Sequence, residues 1–342
     1  MTLSPIYFLI VLTGFLQFST NLVIAIIILR FKGLRREKEY VIFLGQAIAD
    51  GIDGIPSMYA GIYRIFLTLY GNPLAPATPF YCMIVGLHNS IWAWSDTAQS
   101  LMMLVVSVDR LLAVAIPLRY HALTSTYAKR TVAAVFLYCL ASASSAWIYP
   151  ITELAKSNDS ANYSITHAYP TGLCSTTATV GVIFNEYYTN IRVCAVIGSV
   201  VLYILVIILF AKHMRKFDSP IRHDINHKRQ LRLTITLGFQ CAFHIIFYII
   251  PLMLVSTMSL GFNIISSTTQ SYLLIFTNAN AIINLFIYLK RQKEFRFAFK
   301  TALANQKLAP IMSLWPVQAM GTPKIVINNR VGNTSFSVPI KA

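Results

Sequence analysis

An acidic and a basic residue stand side by side where a long apolar stretch of the sequence ends. Asp109 and Arg110 begin the segment DRLLAVAIPLRY, which stays apolar up to Pro117 and closes on Arg119 and Tyr120. Ionisable groups at the edge of hydrocarbon are costly and rare, so a functional role for this pair is predicted. The alternative is an ion pair that only ends a helix at the membrane interface.

A second group of polar side chains lies inside apolar segments. Asp50 stands in one such segment, and another carries three amides, Asn278, Asn280 and Asn284. A carboxylate in hydrocarbon must find partners or stay protonated, and amides can hydrogen-bond across helices. We therefore expect these amides to supply partners for Asp50, either in a purely structural network or in one that also switches.

Three further ionisable residues, Asp96, Glu186 and Arg192, lie in apolar segments away from Arg110. Asp96 precedes Arg110 by fourteen residues, which corresponds to about 21 Å of α-helix at 1.5 Å per residue. Trp92 lies one turn before Asp96 and can share its face. These four residues are predicted to line a ligand pocket. The alternative for Asp96 and Arg192 is a mutual ion pair that only positions two helices.

Composition places all of these residues in a membrane protein. A soluble domain carries about a quarter charged residues, whereas this chain of 342 residues is 56% hydrophobic and only 12% charged. Its net charge of +16 would suit nucleic acid, but we expect no such partner, because only Arg64, Lys156 and Arg192 fall near one side of the predicted bilayer. This asymmetry follows the positive-inside rule. It predicts an extracellular N-terminus, a cytoplasmic C-terminus and basic inner loops that touch anionic lipid.

The elements that position these residues are seven apolar segments of membrane-spanning length. The predicted spans are 5–30, 39–66, 80–110, 129–152, 185–212, 231–258 and 268–289. A short amphipathic helix over 291–303 is expected to follow, lying along the inner membrane surface. The predicted fold is thus an all-α seven-transmembrane helix bundle over residues 1–304. The tail, 305–342, is polar and interrupted by proline, so it is predicted to be a disordered cytoplasmic segment.

The spacing from Asp109 to Tyr120, with Pro117 and Leu118, resembles the end of the third helix of rhodopsin-like G-protein-coupled receptors. The segment NLFIY, ending at Tyr288, resembles the family's motif at the end of the seventh helix, with Leu285 in place of proline. No acid stands near Leu231 to hold Arg110, so the resting state is expected to be weakly held. These departures and the short N-terminal segment are similar to the divergent nematode serpentine chemoreceptors.

The resemblance implies a chemosensory receptor in the plasma membrane that binds a small-molecule or peptide ligand and activates a heterotrimeric G protein. It implies roles in coupling and activation for Asp109, Arg110, Pro117, Leu118, Tyr203, Asn284 and Tyr288. It also implies an inward-facing polar network made of Asn21, Asp50, Asn280 and Asn284.

The remaining predictions concern the extracellular side. Cys82 and Cys174 bracket the third helix and the second outer loop, where the compartment is oxidising, so a disulfide is expected. Asn158 and Asn162 begin two glycosylation sequons in the same outer loop.

Other function classes find less support in the sequence. It carries no paired carboxylates, no Ser-His-Asp set, no phosphate-binding loop and no CxxC pair, so an enzyme, a cofactor and a metal site are not expected. A secondary transporter would show internal repeats and helices broken at matching positions, and we see no such repeat. A seven-helix ligand-gated channel is the other alternative, and ligand-evoked current without G proteins would favour it.

Overall fold

The computed structural model of the chain describes residues 4–72, 75–159, 172–216, 238, 242–243, 245–250 and 267–312. The described residues are almost entirely helical and contain no β-strand. In chain order the helices are α1 (Pro5–Arg30), α2 (Lys32–Arg36), α3 (Lys38–Tyr70), α4 (Pro79–Val85), α5 (Leu87–Ala115), α6 (Pro117–Ala122), α7 (Ser125–Ser145), α8 (Ile148–Asp159), α9 (Thr176–Val180), α10 (Val182–Lys216), a π-helical segment (Ile245–Ile249), α11 (Ser267–Arg291) and α12 (Lys293–Met312).

The long helices have the properties of membrane spans. Within the described ranges, four are long and apolar enough to cross a bilayer, namely Pro5–Arg30, Leu87–Ala115, Ser125–Lys156 and Val182–Lys212. The predicted second and seventh spans are also continuous helices, α3 of 33 residues and α11 of 25 residues, but they carry more polar groups. Large apolar side chains such as Phe8, Phe15 and Leu137 point outward, while carboxylates and amides lie inside. The chain is therefore an all-α membrane protein.

The structure differs from the predicted span boundaries in several places. The predicted third span is divided at Gly86 into α4 and α5. The predicted fourth span is divided after Ser145, and α8 continues to Asp159, beyond the expected end at residue 152. α12 continues to Met312 rather than ending at residue 303. Most of the predicted sixth span and residues 313–342 of the predicted tail lie outside the described residues.

α1 and α3 pack so closely that their crossing requires glycine. A Cβ atom at Gly14 would lie 2.8 Å from the Gly54 carbonyl oxygen, and one at Gly54 would lie 2.7 Å from the Phe18 nitrogen. Both distances are shorter than van der Waals contact, so the two backbones could not approach in this way with larger residues. This close crossing brings Gln17, which lies on α1 one turn after Gly14, against the carboxylates of α3.

A compact apolar cluster packs the N-terminal part of α5 against α10. Its buried members come from α4, α5, α9 and α10 and include Met83, Ala93, Val180, Phe184 and Tyr188. Phe184 and Tyr188 stack with ring centroids 6.0 Å apart. This packing sets the rotation of α10, which points Tyr188 and, one turn later, Arg192 toward α5.

Candidate functional site

Asp109 and Arg110 form a buried ion pair at one end of the bundle, which we call the Arg110 end. Arg110 is only 1% exposed. Its Nε donates to the Asp109 Oδ2 at 3.1 Å, and its Nη2 donates to the same oxygen. Nη2 also donates to the Tyr120 hydroxyl at 3.1 Å. Arg110 is therefore held by two residues, of which Tyr120 lies outside α5.

The Tyr120 hydroxyl is shared between two carboxylates. It lies 3.1 Å and 3.2 Å from the two Asp109 oxygens and 3.3 Å from the Glu39 Oε1, which belongs to α3. A phenol has one hydrogen, so it can donate to only one carboxylate at a time. Burial is the main cause that raises the pKa of Tyr120, which keeps this hydrogen in place at neutral pH.

Lys38, the first residue of α3, fixes α6 from the other side. Its Nζ lies 3.6 Å from the centre of the Tyr120 ring, and it donates to the Tyr120 carbonyl and, at 3.1 Å, to the Leu123 carbonyl. These are carbonyls of the last turn of α6, where a cation is favoured. Lys38, Glu39, Asp109 and Arg110 thus bring two positive and two negative charges around one tyrosine.

Next to this cluster, the structure leaves an apolar edge exposed. Pro117 begins α6 and is exposed, and Leu118 is 88% exposed.

Two other residues with predicted roles in activation, Tyr203 and Tyr288, are buried at the same end. Tyr203 lies against Gly238, where a Cβ would approach its hydroxyl to 2.9 Å, and Tyr288 stacks on Phe43 with ring centroids 5.1 Å apart.

In the middle of the bundle, Asp50 accepts hydrogen bonds from two amides. Gln46 Nε2 donates to its Oδ1 at 2.7 Å, and Asn284 Nδ2 donates to its Oδ2 at 2.9 Å. Asn21 donates to the Ala281 carbonyl at 3.3 Å, which ties α1 to α11. Asn280 is buried in the same helix. The structure therefore brings Asn284 to Asp50 directly and places the other two predicted amides at the α1 and α11 packing.

Gln17 links this network to a second buried carboxylate, Asp53. Its Nε2 lies 2.9 Å from the Asp50 carbonyl oxygen and 3.0 Å from the Asp53 Oδ2. Ser95 donates to the Asp53 Oδ1 at 2.7 Å. The Asp96 carboxylate is the charged group that lies near the Asp53 carboxyl. The sequence shows no adjacent carboxylates, but folding brings Asp53 of α3 close to Asp96 of α5.

Asp96 meets its cation across the bundle. Arg192 Nη1 lies 3.1 Å from the Asp96 Oδ2, and the Tyr188 hydroxyl donates to the same oxygen. The Arg192 guanidinium also lies over the Tyr188 ring, 4.7 Å from its centre. Trp92 is buried one turn from Asp96. Glu186, which we expected in this pocket, is exposed on α10 and does not join the cluster.

Comparison with known proteins fits this arrangement of helices. The family model described as serpentine type 7TM GPCR chemoreceptor Srsx matches residues 15–303. The chain belongs to this family. It is a chemoreceptor of the seven-transmembrane class and a multi-pass membrane protein, as the resemblance implied. No curated protein matches the chain.

The far end of this Srsx receptor is closed by a disulfide between Cys82 and Cys174, as expected, and we call it the disulfide end. Asn89 adds a second connection, because its side chain donates to the Cys174 carbonyl at 3.1 Å and accepts from the Thr176 hydroxyl at 2.8 Å. The side chains of the two predicted glycosylation residues, Asn158 and Asn162, lie outside the described residues.

Several residues of the Srsx receptor's polar interior were not predicted as site residues, and for three of them the sequence carries a signal. Asp53 follows Asp50 by three residues and can share its helix face, and Gln17 precedes Asn21 by four. Tyr120 closes the most specific segment of the sequence. Within the described part of the chain, no group of three or more His, Cys, Asp or Glu side chains could hold a metal ion.

Proposed function

We propose that this chemoreceptor lies in the plasma membrane with its N-terminus outside, binds its ligand near the disulfide end and activates a heterotrimeric G protein at the Arg110 end. The observation that carries the proposal is the burial of Arg110, at 1% exposure, beside Asp109 and Tyr120. A charged residue held by groups that can release it is suited to a two-state switch.

Activation would release Arg110 toward the cytoplasm. In the described structure its Nη1 has no hydrogen-bond partner, so one side of the guanidinium remains available to a new acceptor. The exposed Pro117 and Leu118 border the same end and would complete the docking surface. Tyr203 and Tyr288, which are buried there, would move with α10 and α11.

The ligand would act through the polar groups between the two ends. A ligand entering from the disulfide end would meet Trp92, Asp96 and Arg192. Asp96 lies near Asp53, and Gln17 connects Asp53 to the Asp50 helix turn. A ligand that breaks the Asp96 and Arg192 pair would therefore change the hydrogen bonding of the polar network, which consists of Asn21, Asp50, Asn280 and Asn284. Double-mutant cycles between the pair and the network measure this coupling.

The test is Arg110→Ala in cells that express the receptor and a G-protein reporter, compared at matched surface levels. Signalling should be lost while the protein still reaches the surface, because Lys38 remains near Asp109 to compensate its charge. Arg130→Ala, an exposed arginine at the start of α7, is the matched control and should signal normally. Normal signalling from Arg110→Ala would contradict the proposal.

The same cells distinguish the receptor from a channel or transporter. A receptor produces a ligand response that disappears when G proteins are removed. A current evoked in an excised patch without G proteins, or ligand uptake that persists in Arg110→Ala, would favour the other classes. An epitope inserted near Asp218 should be accessible only after permeabilisation if the orientation is right.

A further inference from the structure

Arg64 is a cation of the disulfide end that no described acid neutralises. It lies on α3, eleven residues beyond Asp53, and is partly buried. The nearest titratable groups that act on it are Tyr7 of α1 and His88 of α5. Because these residues belong to the two helices that flank α3, the guanidinium lies within the bundle. Within the described residues it has neither an ion-pair partner nor a hydrogen-bond acceptor.

His88 adds an N–H donor and a ring nitrogen that have no partner among the described residues. Its side chain is fully buried. The Cys174 backbone approaches the ring, yet neither imidazole nitrogen makes a hydrogen bond of good geometry with any described residue. A buried polar group without a partner costs free energy, so such a group calls for an explanation. Here the neighbour is an arginine, which would repel an imidazolium.

Trp92 continues this row of donors. Its ring meets the His88 ring edge-to-face with centroids 5.2 Å apart, and its Nε1 has no acceptor in the described structure although the residue is only 7% exposed. Arg64 lies near His88, and His88 contacts Trp92, so the three residues supply N–H groups in sequence, none of which is paired with a described carboxylate. Such a set matches an anion, and a guanidinium can bind a carboxylate through two parallel hydrogen bonds.

The surroundings of these donors are aromatic. The Tyr59 and Tyr63 rings stack with centroids 6.3 Å apart and lie 5.9 Å and 6.0 Å from the His88 ring. Their hydroxyls are already used, since Tyr59 donates to the Val85 carbonyl at 2.6 Å and Tyr63 to the Gly172 carbonyl at 2.7 Å. These rings therefore offer faces and edges to a ligand rather than polar groups.

We propose that Arg64, His88 and Trp92 form a recognition site for the carboxylate of a soluble organic acid whose apolar part packs on Tyr59 and Tyr63. The inference rests on the proposed function in taking the disulfide end as the ligand entrance. His88 lies eight residues of α5, about 12 Å, beyond Asp96. Trp92 lies between these two residues, one turn from each, and connects the site to the Asp96 and Arg192 pair.

The two arginines near this end differ in what balances their charge among the described residues. Arg192 has Asp96 at 3.1 Å and Tyr188 under its guanidinium, so its charge is matched inside the bundle. Arg64 has no acid partner among the described residues, and the titratable groups coupled to it are Tyr7 and His88. A ligand amine would meet repulsion at Arg64, and a neutral ligand would leave its charge unpaired.

The experiment uses the purified full-length receptor in phosphatidylcholine nanodiscs, which contain no anionic lipid. Phenylacetate and hexanoate are the probes, and phenylacetamide and hexanamide are their neutral counterparts. The rise in unfolding temperature with probe concentration gives an apparent Kd. The acids should bind about tenfold or more tightly than the amides, because a hydrogen bond to a charged group is stronger than one to a neutral group.

Substitutions locate the site. Arg64→Gln should weaken phenylacetate binding by about tenfold to a hundredfold, and Arg64→Lys should restore part of it, since lysine keeps the charge without the planar fork. His88→Phe, which keeps a ring without donors, should weaken binding less. Arg130→Gln removes an exposed arginine at the Arg110 end and should change nothing. If Arg64→Gln does not fold, the lysine and phenylalanine variants carry the test.

Three outcomes would overturn the proposal. The first is equal binding of acids and amides, and the second is acid binding that does not change in the Arg64 and His88 variants. The third is a loss of phenylacetate binding when phosphatidylglycerol is added, because this would assign the site to a lipid headgroup. None of these readouts involves a G protein. The proposed anion site can therefore be refuted while signalling still depends on Arg110. Conversely, the proposed signalling function can be refuted while the receptor still binds the acid.

Discussion

Arg110 and Arg64 are both arginines inside the bundle, but the fold surrounds them differently. Arg110 is enclosed by Asp109 and Tyr120, with Glu39 and Lys38 completing a balanced set of charges. Arg64 has aromatic neighbours and no acid among the described residues. The cluster around Arg110 thus balances its charges internally, whereas at the disulfide end no described acid balances the charge of Arg64.

This difference corresponds to two uses of an arginine whose burial costs hydration free energy. A buried ion pair contributes little net stability, but breaking it leaves an uncompensated charge, so it favours one conformation strongly over alternatives. An unpaired cation has already lost part of its hydration, so an incoming anion gains more than it would in water. The first arrangement suits a conformational switch and the second a binding site.

The largest contrast should appear between the two arginines at the disulfide end. Arg192→Met leaves Asp96 without its cation, and for a fully buried pair such a loss costs about 3–5 kcal/mol. The Arg192 and Asp96 side chains are 13% and 18% exposed, so the lower end of this range is expected. Arg64→Met breaks no internal pair and should leave the unfolding temperature unchanged or higher. Thermal unfolding of both purified variants without ligand measures this, and equal destabilisation would refute the contrast.

Asp109→Asn should produce the next largest effect, on ligand-independent signalling. A charge-assisted hydrogen bond contributes about 1.5–3 kcal/mol, and its loss would shift a two-state equilibrium toward the active form by about tenfold or more. Reporter activity at matched surface levels measures the shift. Glu153→Gln, which removes a carboxylate from the pair with Lys156 at the disulfide end, should leave it unchanged. A drop in surface expression without any gain in signalling would indicate a purely structural pair.

Much of the fold could be predicted because hydropathy and charge act locally along the chain. Six of the seven predicted spans coincide with described helices to within a few residues, apart from the divisions in the third and fourth. The division at Gly86 depends on how the disulfide end packs and has no local signal beyond the glycine. The family resemblance was predicted from the spacings in the segments that end at Tyr120 and Tyr288, and the match over residues 15–303 confirms it.

The site was less predictable because it depends on helix rotation. Asp96 was predicted as a site residue because it is an isolated charge in an apolar segment. Its proximity to Asp53 depends on the close crossing of α1 and α3 and on the packing of α5, and the hydrophobic periodicity of the sequence specifies neither. The same holds for Tyr120. We expected Arg110 to be weakly held because no acid stands near Leu231, but the structure adds Tyr120 and Glu39 as further groups at this end. A resting state held by these additional groups should show less ligand-independent signalling than a weakly held one.

Tyr120→Phe tests that additional hold directly. The variant keeps the ring under Lys38 and removes only the hydroxyl, so it loses neutral and charge-assisted hydrogen bonds but no packing. The expected change is about 0.5–1.5 kcal/mol, or roughly a twofold to tenfold rise in basal signalling. Tyr70→Phe, at an 81% exposed tyrosine of the disulfide end, is the control. Asp109→Asn and Tyr120→Phe combined should deviate from additivity, because both act on one group.

Lys38→Met should have the smallest effect, confined to α6. Methionine keeps an unbranched apolar chain over the Tyr120 ring but cannot donate to the Tyr120 and Leu123 carbonyls. Losing one net hydrogen bond of about 1 kcal/mol should speed amide exchange in residues 117–123 by about fivefold while α3 and α5 keep their protection. Hydrogen–deuterium exchange with mass spectrometry resolves such segments, and Lys32→Met, at an exposed lysine of α2, should show no change. If α6 exchanged equally in both variants, Lys38 would not fasten it, and the Arg110 end would depend on Asp109 and Tyr120 alone.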